Sequence, residues 1–143
     1  MNYKLDKETA QGELERWFEA WGMEFDEDEM NQEEREDFDG LIKEFIFAIR
    51  KGRMILDDEE GKSVIKYVLR TPVDHNGMVN EIIIPMPKGV SLVEMDNQKE
   101  GHDIKKSFSM VGSLIKKPIS FVNKMDERDI MFINKVNTLF LAS

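Results

Sequence analysis

Chemistry in this chain would have to come from carboxylates and from two histidines. There is no cysteine, which removes disulfides, thiolate metal sites and cysteine nucleophiles together. His75 and His102 are too few for a histidine-based metal cluster, and each falls in a turn-rich stretch where exposure to solvent is expected. Asp26 and Asp28 have the spacing that opens a calcium loop, but the acid at the fifth loop position and the glycine at the sixth are missing. The chain contains no glycine-rich phosphate loop, nucleophile elbow, zinc-binding helix pair or kinase signature. Acid pairs abound, yet a carboxylate on a solvated helix has no cause to acquire the raised pKa that acid catalysis needs. The expectation is a protein that is not an enzyme, takes no cofactor or metal, and works by binding, assembly or inhibition.

The elements that would position a binding surface are set by length and charge. A chain of 143 residues suits one domain with its own core, with room for an appended element. No apolar run approaches the roughly 20 residues needed to cross a bilayer, and the N-terminus lacks the apolar centre of a signal peptide, so a cytoplasmic protein is expected. The formal charge of −9 is unevenly spread: residues 1–60 carry 20 acids against 8 Lys or Arg, and residues 61–143 carry 9 against 12. That argues against a phosphate-neutralising surface on the front half, and no nucleic-acid partner is expected. The acidic front reads either as a solvated face, or as an arm that folds against its own basic half, a neighbouring subunit or a basic partner.

Periodicity predicts an α+β fold: an N-terminal helical pair, a central β-hairpin and a C-terminal helical bundle. Leu14, Trp17, Phe18 and Trp21 make one stripe on a first helix from Asp6 to Trp21, covered either by the next helix or by another chain. Phe38, Leu41, Ile42, Phe45 and Ile49 do the same on a second helix, Glu33 to Lys51, whose ends carry the charges its dipole prefers. The run Leu56 to Lys62 reads as the boundary between a 1–60 helical extension and a 61–143 unit. Ser63 to Arg70 and Asn80 to Ile84 read as strands, joined through Pro72 to Gly77 with Asn76-Gly77 as the turn. Pro85 and Pro87 lack an amide hydrogen and should end the second strand.

Met86 to Asp103 reads as an irregular connection with one turn of helix near Leu92 to Met95. A third helix is expected over Asp103 to Lys116, interrupted by Gly112 and ended by Pro118, which can itself open a short helix. The last helix follows Asp126 as N-cap, with Asp129 three residues on as an approximate capping box. Its stripe is Ile130, Ile133, Val136 and Phe140, and Met131, Phe132 and Leu139 are apolar groups off that stripe. A terminal helix apolar on more than one side is either deeply buried or meant for a partner. Ten of the 143 residues are methionine, whose unbranched thioether adapts to varied helical surfaces, so Met125 and Met131 are candidates for holding one.

The order of features in the back half is specific. "YVLRTPV", "DHNGMV" and "EIIIPMPKGVSLVEMD" are followed by an apolar helix, a "KP" break and "FVNKMDERDIMFINKVNTLFL". Over residues 64–141 this resembles the small tail assembly chaperones of Mu-like contractile-tailed phages, with Pro87, Gly89, Leu92, Asp96, Met125, Asp129 and Phe140 as the matching pieces. The chain departs from that pattern at Ile84-Pro85-Met86-Pro87 and Val90-Ser91, and in the acidic helical pair before residue 60. The resemblance implies a non-virion factor that keeps the long helical tape measure protein soluble until tail tube subunits polymerise around it. Some members of that family also have a frameshifted longer product, and a chain that stops just after the final helix fits the short form.

For that role the expected holding face is Phe121, Met125, Met131, Phe132 and Phe140; the competing reading is that all five are core. The expected partners are the tape measure protein and the tail tube protein, with a homo-oligomer left open and no nucleic acid or membrane. Two alternatives stand beside it. One is an acidic inhibitor or DNA mimic in which residues 24–39 imitate duplex phosphates, and the other is a structural tail or neck component.

Overall fold

The computed structural model describes residues 3–87 and 104–143, with backbone alone for 104–107. Helix α1, Lys7–Ala20, begins where the Asp6 carboxylate accepts the Thr9 N–H at 2.7 Å, satisfying one of the donors left free at a helix start. After a short 3₁₀ turn, Glu27–Glu29, Asn31 does the same for Glu34 N–H at 2.8 Å and starts α2, Gln32–Arg50. The two helices pack on each other through the predicted stripe: Trp17 is fully buried with its ring 5.2 Å from that of Phe45. The next helix therefore covers Trp17, and Trp21 is covered by Phe140 near the C-terminus and donates its indole N–H to the Ser63 carbonyl oxygen at 3.1 Å.

A three-stranded antiparallel meander follows, one strand more than the hairpin expected: β1 Met54–Glu59, β2 Lys62–Asp74 and β3 Met78–Pro85, in spatial order β1-β2-β3. The stretch read as a boundary is thus an edge strand and a turn, with Met54 opposite Tyr67, Leu56 opposite Ile65 and Glu59 opposite Lys62. Glu60 and Gly61 close the turn at φ 53° and 78°, the left-handed pair a two-residue hairpin requires. Position 60/61 therefore falls inside a hairpin. Asp57, Asp58 and Glu59 disguise β1, because acids are poor strand formers, although charge on an edge strand discourages pairing with a foreign strand.

The first predicted strand also runs further than expected. The β2–β3 register breaks between Val68 and Val73 and resumes at Val73 opposite Val79, so Pro72 sits in an irregularity instead of a ladder. β3 stops at Pro85, as its missing amide hydrogen predicted. His75, expected to be exposed at the tip, is half-buried with its ring 5.7 Å from that of Phe121.

The C-terminal helices are α3, Ile104–Ile115; α4, Ile119–Val122; and α5, Glu127–Ala142. Gly112 does not interrupt α3. A Cβ there would stand 2.7 Å from the Lys117 carbonyl oxygen and 3.3 Å from Val122 Cγ2, so glycine lets the chain double back at the helix end. Gly112→Ala should cost about 1–3 kcal/mol in urea unfolding, since the first neighbour is backbone and cannot rotate away. The expected connection around Leu92 to Met95, His102, and the motif residues Gly89, Leu92 and Asp96 lie outside the described residues.

One face of the sheet, with Met54, Ile65, Tyr67, Leu69, Ile82 and Ile84, joins residues of α1, α2, α3 and α5 in a single apolar core. The front helices belong to it: Trp21 meets Phe140 at 6.1 Å, Phe45 meets Phe132 at 5.5 Å, and Lys135 Nζ pairs with Glu44 at 2.7 Å. The acidic half folds against its own C-terminal helix. Among the described residues no helix is long and apolar enough to cross a membrane.

Candidate functional site

The C-terminal half of α2 and the first half of α5 do not close fully over β2. Between them lies a groove of about 390 Å³. Its floor is apolar: Phe47 and Ala48 from α2, Met131 and Phe132 from α5, and the Tyr67 ring, which stacks on Phe132 at 4.3 Å and 11°. Its rim is cationic, with Lys43, Arg53, Arg70, Arg128 and Lys135 against the single acid Glu44. On a chain of net charge −9 this local excess is a reversal of sign. Lys135 is paired with Glu44, and Arg128 donates from Nη2 to Asp126 at 2.9 Å. Lys43, Arg53 and Arg70 have no ion pair among the described residues.

The five expected holding residues do not form one face. Phe121, on α4, is fully buried and Met125, just after it, is 7% exposed; both belong to the apolar core and cannot offer a face to a partner without the fold opening, which corrects that part of the expectation. Phe140 is half-buried against Trp21. Met131, 47% exposed, and half-buried Phe132 are brought together in the groove. The cationic rim is not legible in the sequence because its members come from α2, the α2–β1 joint, β2 and α5. Arg53 in particular reads in sequence as one of three cations completing the end of α2.

Asp129 holds the groove together. Read as half of a capping box, it instead turns inward, fully buried, and accepts from Tyr67 Oη at 2.7 Å, from Arg70 N–H at 3.1 Å to each oxygen, and from Thr71 N–H at 3.4 Å. Arg70 and Thr71 lie where the β2–β3 register breaks, so one carboxylate supplies the acceptors the ladder lacks there. Asp126 caps α5 through Arg128 N–H at 2.8 Å and accepts from Thr71 Oγ1 at 2.8 Å. The side chain of Arg128 first, then its N–H and then the Thr71 hydroxyl hold the Asp126 carboxyl well below the usual range.

Burial, then the hydrogen bond to Asp129 and that carboxylate's charge, push the Tyr67 phenol above its ordinary value of about 10. In the unfolded chain the phenol ionises at its ordinary value. The folded state therefore keeps this contribution below pH 10 and loses it as pH rises towards the folded value. Thermal unfolding should show melting temperature falling above about pH 10 in the parent. Tyr67→Phe should lower stability at neutral pH, by about 1–2 kcal/mol for the lost hydrogen bond, yet flatten that alkaline fall.

At the other end of α2, residues 24–39 carry ten acids, all exposed, and one arginine, Arg35. Arg35 Nη2 donates to the Glu27 carbonyl oxygen at 2.9 Å, and none of these ten carboxylates has an ion pair among the described residues. Asp26 and Asp28 belong to this tip, and no group of His, Cys, Asp or Glu among the described residues could hold a metal ion. No protein-family model matches the chain, and no curated protein or solved structure matches it either.

Proposed function

We propose that this chain is a non-catalytic holding protein of the tail assembly chaperone kind, binding the helical tape measure protein and keeping it soluble while tail tube protein polymerises. The observation that carries the reading is the α2/α5 groove, where Met131 and Phe132 offer an adaptable apolar floor open to solvent. The order of motifs in residues 64–141 supplies the kind of client. The excess of acid elsewhere on the surface would keep a loaded complex soluble, and many such grooves along one long client would add avidity while each contact remained displaceable.

Co-expression with a candidate tape measure protein tests it. The reading predicts that the client moves from the insoluble to the soluble fraction and co-purifies with this chain. It predicts also that Met131→Asp, an exposed position whose change spares the core, returns the client to the pellet. A client that stays insoluble with the parent chain, or that is rescued equally by Met131→Asp, overturns it.

A further inference from the structure

Two surfaces of opposite charge stand at the two ends of one helix. The tip is formed by the 3₁₀ turn and the first turns of α2, where Glu33, Glu34, Glu36 and Asp37 are exposed and have no ion pair among the described residues. The groove takes Lys43 and Glu44 from the later turns of the same helix, and its cations Lys43, Arg53 and Arg70 are likewise unpaired among the described residues. α2 is continuous from Gln32 to Arg50. At 1.5 Å per residue, Asp37 is held about 15 Å along the axis from Phe47. The tip of a copy therefore cannot bend into its own groove, whatever the attraction between them.

We propose that the acidic tip of one copy docks in the cationic groove of a second copy. The contact joins two different surfaces, so it is head-to-tail: each copy that gives its tip still has a free groove, and the assembly grows or closes into a ring. Charge complementarity selects a second copy because the tip, within residues 24–39, gathers ten exposed acids against one arginine with no ion pair among the described residues, and it is always present at the groove's own concentration. Two chains of net charge −9 repel at long range, but at physiological ionic strength the screening length is about 8 Å, so the local attraction between tip and groove decides. The inference needs only the tip and the groove and does not rest on the holding role; a docked tip fills the groove, so a client would have to displace it to be held.

Sedimentation velocity on the purified full chain tests it. The weight-average mass should rise with protein concentration in about 0.1 M salt and return to that of one chain in about 1 M salt, where the screening length is about 3 Å. A groove variant, Arg53→Gln with Arg70→Gln, and a tip variant, Glu33→Gln, Glu34→Gln, Glu36→Gln and Asp37→Asn, should each sediment as one chain with the parent's circular dichroism. Mixed in equal amounts, they should form a species of two chains and no more, because the intact tip of the first fits the intact groove of the second. A parent that remains a single chain in about 0.1 M salt overturns the proposal. So does a variant that associates like the parent, or a mixture that stays at one chain.

Discussion

Asp129→Ala is expected to remove about 3–5 kcal/mol of stability, as read from urea unfolding, because it strips a shared acceptor from three donors at once. The Tyr67 hydroxyl and the N–H groups of Arg70 and Thr71 all point at this one fully buried carboxylate. No neighbouring ladder bond replaces it, since the β2–β3 register is broken there. Asp129→Asn retains an acceptor oxygen but aims an amide hydrogen donor at other donors, so it should cost about 2 kcal/mol. A double-mutant cycle separates the parts: with Tyr67→Phe already made, Asp129→Ala should cost about 1–2 kcal/mol less, because one donor is no longer orphaned. Full additivity would mean that the 2.7 Å contact contributes nothing to the fold.

The second large effect is expected at Trp17, on the other side of the core. Trp17→Ala should cost about 3–5 kcal/mol, the usual range for emptying a fully buried aromatic site. Its ring lies 5.3 Å from Phe18, 5.5 Å from Trp21 and 5.2 Å from Phe45, and Phe45 in turn touches Phe132, which stacks on Tyr67. Loss of Trp17 therefore loosens a chain of rings running from α1 to the centre of the sheet. Of a total stability of about 5–15 kcal/mol for an ordinary domain, this is a large share. Native-state hydrogen exchange shows where it falls: if the front helices share one cooperative unit with the sheet, protection of the Ile65 and Ile84 amides drops by the same free energy as that of α1. Protection that falls in α1 and α2 alone would mark the acidic half as a separately folding extension.

The local grammar of the chain carried most of the helices and little of the site. Helix ends were legible because capping is a matter of three or four consecutive residues, as with Asp126 before α5. Apolar spacing was legible for the same reason, and it placed Trp17 and Phe45 on the faces that meet. β1 was not, since four acids in Asp57–Glu60 outweigh the alternation of Met54 and Leu56 until β2 is seen beside them. Asp129 shows the limit most plainly. Three residues after Asp126 it satisfies a capping pattern, but its partners are 58–62 residues away in sequence, and burial in the tertiary fold takes it from the helix end. Met131 and Phe132 were visible as apolar residues off the main stripe, whereas the cations around them belong to segments whose convergence no local pattern announces.

The claim that the α2/α5 groove receives another polypeptide is tested most directly by site-specific photocrosslinking. A photoreactive amino acid is placed at Met131, in the groove, or at Met78, 64% exposed at the hairpin tip outside it, in cells that also make a candidate tape measure protein. The account predicts a covalent adduct with that protein from position 131 and none from position 78. An adduct from position 78 alone, or equal adducts from both, would contradict it.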